Sequence, residues 1–227
     1  MRVSHTDQPV AGGVKHHVDT ETLRFGIFGG TFDPFHIGHM HLLDCVLERV
    51  SLEVIHVIPA LVPPLKPQPV ASAAHRINMV KCAIDGRERL VCDDREIRRE
   101  GTSYTVLTLM SLNQEYLARA DHKARAVLII GHDVFAQLHR WHRWREIPGL
   151  SDLLVINRPD LSGNDGAREI DPAIEECLKN TRVDHLDIPP RDISATEIRR
   201  RLGMGEDVTG MLPDTVLSYI KAHSLYD

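Results

Sequence analysis

Residues 23–39 read LRFGIFGGTFDPFHIGH, and this stretch decides how the chain folds. Its apolar beginning, residues 23–28, predicts a buried strand that ends at Gly29-Gly30. Residues 39–50 then place apolar side chains every three or four positions, which is the spacing of an amphipathic helix. A buried strand, a glycine turn and a helix together form the first unit of a parallel α/β sheet.

The same alternation of strands and helices continues along the chain. Apolar runs predict further strands at 53–58, 89–92, 126–130, 153–156 and 182–187. Helices are expected at 72–85, 104–119, 172–180, 194–204 and 213–224, and helical segments over about 132–147. Because these strands are continuously apolar, helices should cover both faces of the sheet. We predict one Rossmann-like, doubly wound parallel α/β domain over residues 23–227, preceded by a polar N-terminal extension, residues 1–22.

The composition excludes several classes of protein. The chain has 227 residues, of which 42% are hydrophobic and 26% are charged, and its formal net charge is −5. This apolar content is too high for a disordered protein. No apolar run approaches the ~18–20 residues that span a bilayer. The net negative charge also disfavours a surface that coats nucleic acid. We therefore expect neither a membrane nor a nucleic-acid partner.

The cysteine pattern bears on the compartment. Cys45, Cys82, Cys92 and Cys177 form no CxxC pair, and a domain of this size does not depend on disulfides. The first 22 residues also lack the apolar segment of a secretory signal. We expect four reduced thiols in a cytoplasmic protein.

The loop between the first strand and the first helix has the chemistry of a phosphate site. Gly29 and Gly30 let the backbone turn sharply and let a ligand approach closely. The helix that follows offers backbone N–H groups and the positive end of its dipole. His36 and His39 are three residues apart, so both rings can face one phosphate. The segment is neither a Walker loop nor a GxGxxG fingerprint.

Two other interpretations of these histidines are open. They could serve ordinary loop and cap chemistry. They could also form a metal site with His41, but His41 lies two residues from His39 and points away on a helix. In addition, no cysteine or carboxylate pair completes a tetrahedral set of ligands. We predict phosphate contact and no metal-ligating residues.

A second motif, ISATEIRRRL, occupies residues 193–202. Ser194 and Glu197 have the spacing of a capping box, which places the start of a helix at Ser194. Capping does not account for Thr196 or for the three consecutive arginines that begin at Arg199, since cations near a helix N-terminus are unfavourable. A bound polyphosphate would reverse this penalty. Arg199 is the best placed of the three to bind β- and γ-phosphates, and the other two are expected in solvent.

The segments between the two motifs should determine the specificity of the site. Lys66, at the end of a proline-rich loop, could hold a phosphate or could simply be a solvated lysine. Arg76, near the start of a helix, could bind the same phosphate. The helix that begins near Thr105 offers N–H groups to a carboxylate.

Two further segments could contact a ligand, one directly after a buried strand and one rich in basic residues. Asp133, just after Gly131, lies where α/β proteins bind ligands, and it could bind a ribose hydroxyl or cap a helix. Trp141 and Trp144 are the two tryptophans. Either could belong to the core, but one ring is expected to face a site and stack on a heteroaromatic ring.

The two motifs resemble the signatures of the HxGH nucleotidyltransferase superfamily. The segments between them resemble bacterial nicotinate mononucleotide adenylyltransferases, most clearly VPPLK at 62–66, GTSYT at 101–105 and IGHD at 130–133 with Trp141. The resemblance implies that ATP and nicotinate mononucleotide give nicotinate adenine dinucleotide and pyrophosphate in NAD biosynthesis, with Mg²⁺ carried by ATP. It assigns catalysis to His36, His39 and Arg199.

The resemblance also implies the binding residues. ATP would be bound by Gly29, Gly30, Thr31, Phe32, Gly131, Asp133, Ser194 and Thr196. The mononucleotide would be bound by Lys66, Arg76, Thr105, Trp141 and His142. In that family the tryptophan stacks on the pyridine ring, and backbone N–H groups at the positions of Thr105 and His142 hold the carboxylate. His142 stands where the family pattern has tyrosine.

Other functions remain open at this point. A related HxGH transferase could act on nicotinamide mononucleotide, phosphopantetheine or a cytidylyl acceptor. A non-catalytic nucleotide sensor could share the fold, although such a site would be expected to have lost His36, His39 or Arg199. The sequence does not indicate an oligomeric state.

Overall fold

A computed structural model describes residues 22–62, 67–99, 101–119, 123–157, 170–189 and 191–227. The predicted extension therefore lies outside the described residues, apart from Thr22. The six strands are β1 (Leu23–Gly30), β2 (Ile55–Pro59), β3 (Leu90–Cys92), β4 (Ala124–Gly131), β5 (Ser151–Asn157) and β6 (Val183–Asp187). They form one sheet in the order β3-β2-β1-β4-β5-β6, and every pair is parallel. The predicted parallel α/β sheet is confirmed.

The helices are α1 (Ile37–Arg49), α2 (Ala73–Ile84), α3 (Arg95–Arg98), α4 (Thr105–Arg119), α5 (His132–Phe135), α6 (Ile147–Leu150), α7 (Pro172–Leu178), α8 (Ala195–Gly203) and α9 (Asp214–Ala222). Ser72 caps α2 by accepting a hydrogen bond from the backbone N–H of His75, at 3.3 Å. None of the helices in the described ranges is long and apolar enough to cross a bilayer.

The prediction of helical segments over about residues 132–147 is confirmed. Between α5 and α6 the chain forms two 3₁₀ turns, Leu138–Arg140 and Trp144–Glu146. Trp141 has an extended backbone, and Arg143 has φ +52°, so the helix cannot continue through them. Separate turns supply the buried apolar side chains of this segment, among them Phe135, Leu138 and Trp144.

Two hydrophobic layers cover the faces of the sheet. Along β4, Val127 and Ile129 pack with α1, while Leu128 and Ile130 pack into the layer that contains α4. This alternation follows from the period of two along a strand. A third apolar cluster joins α2, α8 and α9 through Met79, Ile198, Val216 and Ile220.

The strand order opens a crevice in the middle of the sheet. The ladder between β1 and β4 stops at Ile27 and Leu128, although both strands continue. Beyond that point β1 pairs with β2 as far as Gly30, and β4 pairs with β5 as far as Gly131. The two central strands therefore separate at their carboxyl ends. This is the position at which open α/β sheets bind ligands.

Candidate active site

The glycines around the crevice have two different roles. A Cβ atom at Gly30 would lie 2.6 Å from the ring of Phe32, whose own φ is +51°. Gly30 is therefore required by the packing of the loop after β1. A Cβ at Gly29 or Gly131 would meet no described atom within 4 Å. Both positions lie at the carboxyl ends of the separating strands, and the lack of neighbouring atoms leaves room for a ligand beside the backbone.

The two histidines of the first motif lie together, as predicted. Their rings are stacked with centroids 3.7 Å apart and an interplanar angle of 23°. The backbone N–H of His36 donates to Nδ1 of His39, at 3.2 Å. A neutral His39 ring therefore carries its proton on Nε2. Phe32 and Phe35 pack against His39, each with its ring centroid 5.1 Å away, and hold it in place.

The N-terminus of α1 is less open than the sequence suggested. The N–H of Ile37, the first residue of the helix, donates to the carbonyl of Met211, at 3.1 Å. The N–H of His36 is also used, by His39. The chain itself therefore satisfies part of the donor set expected for a phosphate. A ligand bound here would therefore depend more on the side chains of His36 and His39 than on these backbone N–H groups.

The second motif reaches the first through Arg199. Its Nη1 donates to the carbonyl of Asp33, at 2.7 Å, across 166 positions of sequence. This contact places α8 beside the loop that carries the histidines. The helix begins as predicted, because Ser194 Oγ accepts from the N–H of Glu197, at 3.2 Å. The structure thus brings the two motifs to one site.

The capping box predicted for α8 is only half formed. The carboxylate of Glu197 binds Arg200 and Arg201 instead of the backbone of Ser194. Hydrogen bonds from Arg200 and then Arg201 lower the pKa of Glu197 to about 2. Arg200 also binds Glu206. These two arginines are occupied by surface carboxylates, whereas Arg199 faces the crevice.

Arg76 has a structural role, which corrects the prediction that it binds the mononucleotide. The residue is 1% exposed. Its guanidinium donates to the carbonyls of Thr31 (2.8 Å), Ala60 (2.6 Å), Ala71 (3.3 Å) and Leu61 (3.3 Å). Four of its N–H groups are used in this way, and a substrate phosphate cannot reach it. Burial lowers the pKa of Arg76, and the nearby Asp33 partly offsets this effect.

The start of α4 meets the segment that contains Trp141. The ring centroids of Tyr104 and His142 are 4.2 Å apart, with an interplanar angle of 30°. This contact places the N-terminus of α4, at Thr105, next to residues 141–142. Ser103 also fixes the loop after β2, because its Oγ accepts from the N–H of Leu61, at 2.8 Å. Lys66 follows this loop and lies outside the described residues.

The two tryptophans separate as expected. Trp144 is buried in the core, 8% exposed, and the guanidinium of Arg145 lies 4.6 Å from the centre of its ring. Trp141 is only partly buried and packs at the edge of the same cluster. Trp141 is therefore the tryptophan whose ring can also contact a ligand.

The remaining predicted ATP residues surround the crevice. Gly131 precedes α5, and Asp133 is exposed on its first turn. Thr196 is exposed on the first turn of α8, whose cap is Ser194. The hydroxyl of Thr31 is buried and has no hydrogen-bond partner in the described part of the chain. In the same part of the chain, no group of three or more His, Cys, Asp or Glu side chains could hold a metal ion.

Sequence reasoning missed an apolar groove beside His36. Ile156, Ile188 and Ile193 line it, together with Gly38 and Arg191. A Cβ at Gly38 would lie 3.1 Å from the ring of His36. Glycine at this position therefore allows the ring to pack closely against the helix. Ile156 lies near the end of β5, and Ile188 directly follows β6. Their positions at the carboxyl edge of the sheet were the signal that could have identified them.

Comparison with known proteins agrees with this geometry. Residues 27–201 match the cytidylyltransferase-like family. The "probable nicotinate-nucleotide adenylyltransferase" of Pseudomonas aeruginosa (strain UCBPP-PA14) is 39% identical over 213 residues, which cover 89% of this chain and 97% of the relative. The protein of the same name from Pectobacterium atrosepticum is 37% identical over 209 residues, 88% of this chain and 96% of the relative. The chain belongs to the nicotinate-nucleotide adenylyltransferase family.

Solved structures support the fold of this family member. The nicotinic acid mononucleotide adenylyltransferase of Plasmodium falciparum, complexed with NaAD, aligns with a TM-score of 0.71 at 20% identity. The alignment covers 90% of this chain and 98% of that one. The same enzyme complexed with APC gives a TM-score of 0.69. The family resemblance noted in the motifs is thereby confirmed, and the family is one of nucleotidyltransferases.

Proposed function

We propose that this chain transfers AMP from ATP to nicotinate mononucleotide, giving nicotinate adenine dinucleotide and pyrophosphate for NAD biosynthesis. The observation that carries the proposal is the contact between Arg199 and the carbonyl of Asp33, at 2.7 Å. It places a cation of the second motif beside the histidines of the first, at the opening between β1 and β4.

The chemistry requires positioning more than proton transfer. The attacking atom is a phosphate oxygen of the mononucleotide, which is already ionised at neutral pH. A general base and a covalent intermediate are therefore unnecessary. The protein aligns two phosphates in line and stabilises the negative charge that develops as pyrophosphate leaves.

The ATP half of the site follows from the crevice. Open space at Gly29 and Gly131 accommodates the α-phosphate and ribose, with Asp133 at the rim to bind a ribose hydroxyl. His36 and His39 donate to the α-phosphate and to the bridging oxygen. Arg199 and the first N–H groups of α8 hold the β- and γ-phosphates. The groove lined by Ile156, Ile188 and Ile193 adjoins His36 on the side of β5 and β6.

The mononucleotide half lies toward α4. Trp141 offers a partly exposed ring on which the pyridine can stack. The N–H groups of Thr105 and His142 bind its carboxylate, and the Tyr104–His142 contact holds these two donors on neighbouring segments. Lys66 is assigned to the mononucleotide phosphate from the sequence alone.

Mg²⁺ enters this proposal as part of the Mg-ATP substrate, where it neutralises charge on the phosphates. Cys45, Cys82, Cys92 and Cys177 are all unpaired thiols. This supports the cytoplasm as the compartment in which we place the reaction. The partners that we assign are the two nucleotide substrates, without nucleic acid or membrane.

The test is an acceptor panel. The protein is mixed with Mg-ATP and, in turn, with nicotinate mononucleotide, nicotinamide mononucleotide, phosphopantetheine or a cytidylyl acceptor with CTP, and pyrophosphate is measured. Two N–H groups on a carboxylate correspond to about a 10–100-fold higher kcat/KM for nicotinate over nicotinamide mononucleotide. A preference for another acceptor would contradict the assigned substrate. Nucleotide binding without pyrophosphate release from any acceptor would instead indicate a sensor.

A further inference from the structure

A tyrosine far from both motifs reaches the middle of the first one. Tyr226 lies after α9, and its hydroxyl donates to Oδ1 of Asp33, at 2.6 Å. Asp33 is 4% exposed, and its carboxylate also accepts from the N–H groups of Val70 (2.7 Å) and Ala71 (3.1 Å). Burial, followed by the hydrogen bond to Asp33, raises the pKa of Tyr226 well above its usual range. The hydroxyl therefore stays a donor at every physiological pH.

Asp33 connects this tyrosine to the residue assigned to the triphosphate. Its side chain is held by Tyr226, while its carbonyl accepts from Arg199. Tyr226 and Arg199 therefore bind two different groups of one residue, and Asp33 is the link between them.

The backbone around Tyr226 adopts a conformation that is unfavourable for these residue types. Tyr226 has φ +72° and Ser224 has φ +47°, both in the left-handed region that favours glycine. The surrounding structure must compensate for this cost. Tyr226 also packs on the helix that carries Arg199, because its carbonyl would lie 3.3 Å from a Cβ at Gly203, the last residue of α8.

We propose that Tyr226 is a positioning residue for adenylyl transfer, which holds Arg199 in register with the triphosphate through Asp33. The proposal rests on the proposed function, because it assigns Arg199 to the β- and γ-phosphates. A purely structural tyrosine would contribute only the packing of its ring in the cluster of α2, α8 and α9. The hydroxyl and the ring can be tested separately.

The primary variant is Tyr226→Phe, which keeps the ring and removes the donor. Because a hydrogen bond to a charged group is lost, kcat/KM for ATP should fall about tenfold, and the Kd for Mg-ATP should rise by a similar factor. The KM for nicotinate mononucleotide should stay within about twofold of the wild-type value. The matched control is Tyr219→Phe on α9, whose hydroxyl binds His75 and Asn78, at 2.9 Å each, away from Asp33.

A double-mutant cycle locates the effect. If Tyr226 acts by seating Arg199, then Tyr226→Phe should cost less than about twofold in an Arg199→Lys background, since the losses of coupled residues do not add. Equal losses in both backgrounds would overturn the coupling. A wild-type Kd and kcat in Tyr226→Phe, with only a lower melting temperature, would overturn the proposal.

The two proposals fail in different ways. If the wild-type protein releases no pyrophosphate with any acceptor, the proposed function fails. The Kd for Mg-ATP, measured by calorimetry, still decides whether Tyr226 supports nucleotide binding. An unchanged Kd in Tyr226→Phe would then reject that role as well.

Discussion

Two polar regions lie on the same sheet and are built in opposite ways. One is the crevice between β1 and β4. The other is a buried network centred on His56 of β2. In the network, His56 Nδ1 binds Asp93 at 3.0 Å, and Nε2 binds the hydroxyl of Tyr116 at 2.9 Å. Arg95 donates to Asp93 at 2.7 Å and to Glu115 at 2.8 Å. Its members satisfy one another.

The pKa values of Asp93 and Arg95 reflect these contacts within the network. Burial by itself raises the pKa of Asp93, but hydrogen bonds from His56 and Arg95 outweigh it and lower the pKa to about 2. Arg95 itself loses solvation on burial, yet Glu115 and Asp93 raise its pKa overall. Such a network stabilises one arrangement of the fold.

The crevice differs in which partners hold its polar groups. Arg199 is held by a backbone carbonyl of Asp33, and Nδ1 of His39 is held by a backbone N–H. Both side chains are attached in this way to the loop that follows β1, at Asp33 and His36. A neutral backbone carbonyl orients the Arg199 guanidinium without cancelling its charge. The kind of partner, rather than the number of polar residues, therefore separates this ligand site from the structural network.

The largest expected effect comes from His36→Ala. Loss of a donor to the charge developing on the phosphate should lower kcat about 10²–10³-fold, by analogy with other preorganised donors. Steady-state kinetics and the melting temperature are measured together. The melting temperature should stay within a few degrees of the wild-type value. An active but less stable variant would show that His36 has a structural role.

The matched control for this variant is His56→Ala in the network. It leaves the buried Asp93 with fewer partners and should cost about 1–3 kcal/mol of unfolding free energy. Its kcat should remain within about twofold of wild type. Loss of activity at unchanged stability would remove the distinction between the two regions.

A smaller effect is expected from Trp141→Ala. If the ring stacks on the pyridine, the lost contact is about 1–3 kcal/mol, so the KM for the mononucleotide should rise roughly 5–100-fold. The KM for ATP should not change. The control is Trp144→Phe, which should reduce stability and leave both KM values in place, because Trp144 is buried. If Trp141→Ala leaves the mononucleotide KM unchanged, the ring has a core role.

Local patterns in the sequence were sufficient for much of the fold. The apolar strands, the caps at Ser72 and Ser194 and the histidine pair each depend on residues a few positions apart. Such patterns determine helix starts and strand positions through short-range chemistry. The helix α3 was missed, because a single turn at Arg95–Arg98 is too short to show a period.

Long-range contacts account for what the sequence could not predict. Arg76 binds the carbonyls of Thr31 and Ala60, and nothing in its neighbourhood distinguishes a buried arginine from a phosphate ligand. Tyr226 and Asp33 are 193 positions apart. Both interactions depend on tertiary packing, which a local motif does not encode.

The smallest change is expected from Asp93, the buried carboxylate of the network. The folded-state pKa of Asp93 is about 2, below the ordinary value of about 3.9 for an unfolded aspartate. Its ionised form therefore contributes about 2 kcal/mol of stability above pH ~4, and this contribution is lost as the pH falls from ~4 to ~2. Asp93→Asn should remove it at neutral pH and flatten the acid limb of the stability curve, measured by urea unfolding between pH 3 and 7.

Asp94→Asn is the control for this measurement, because Asp94 pairs only with the exposed Arg98 among its described ion-pair partners. An exposed pair of this kind contributes little to stability. Asp94→Asn should therefore leave the acid limb in place. Because the network is closed to ligands, kcat should be the same in both variants at pH 7. A pH-independent loss of activity in Asp93→Asn alone would mean that the network reaches the crevice, so the two regions would form a single unit.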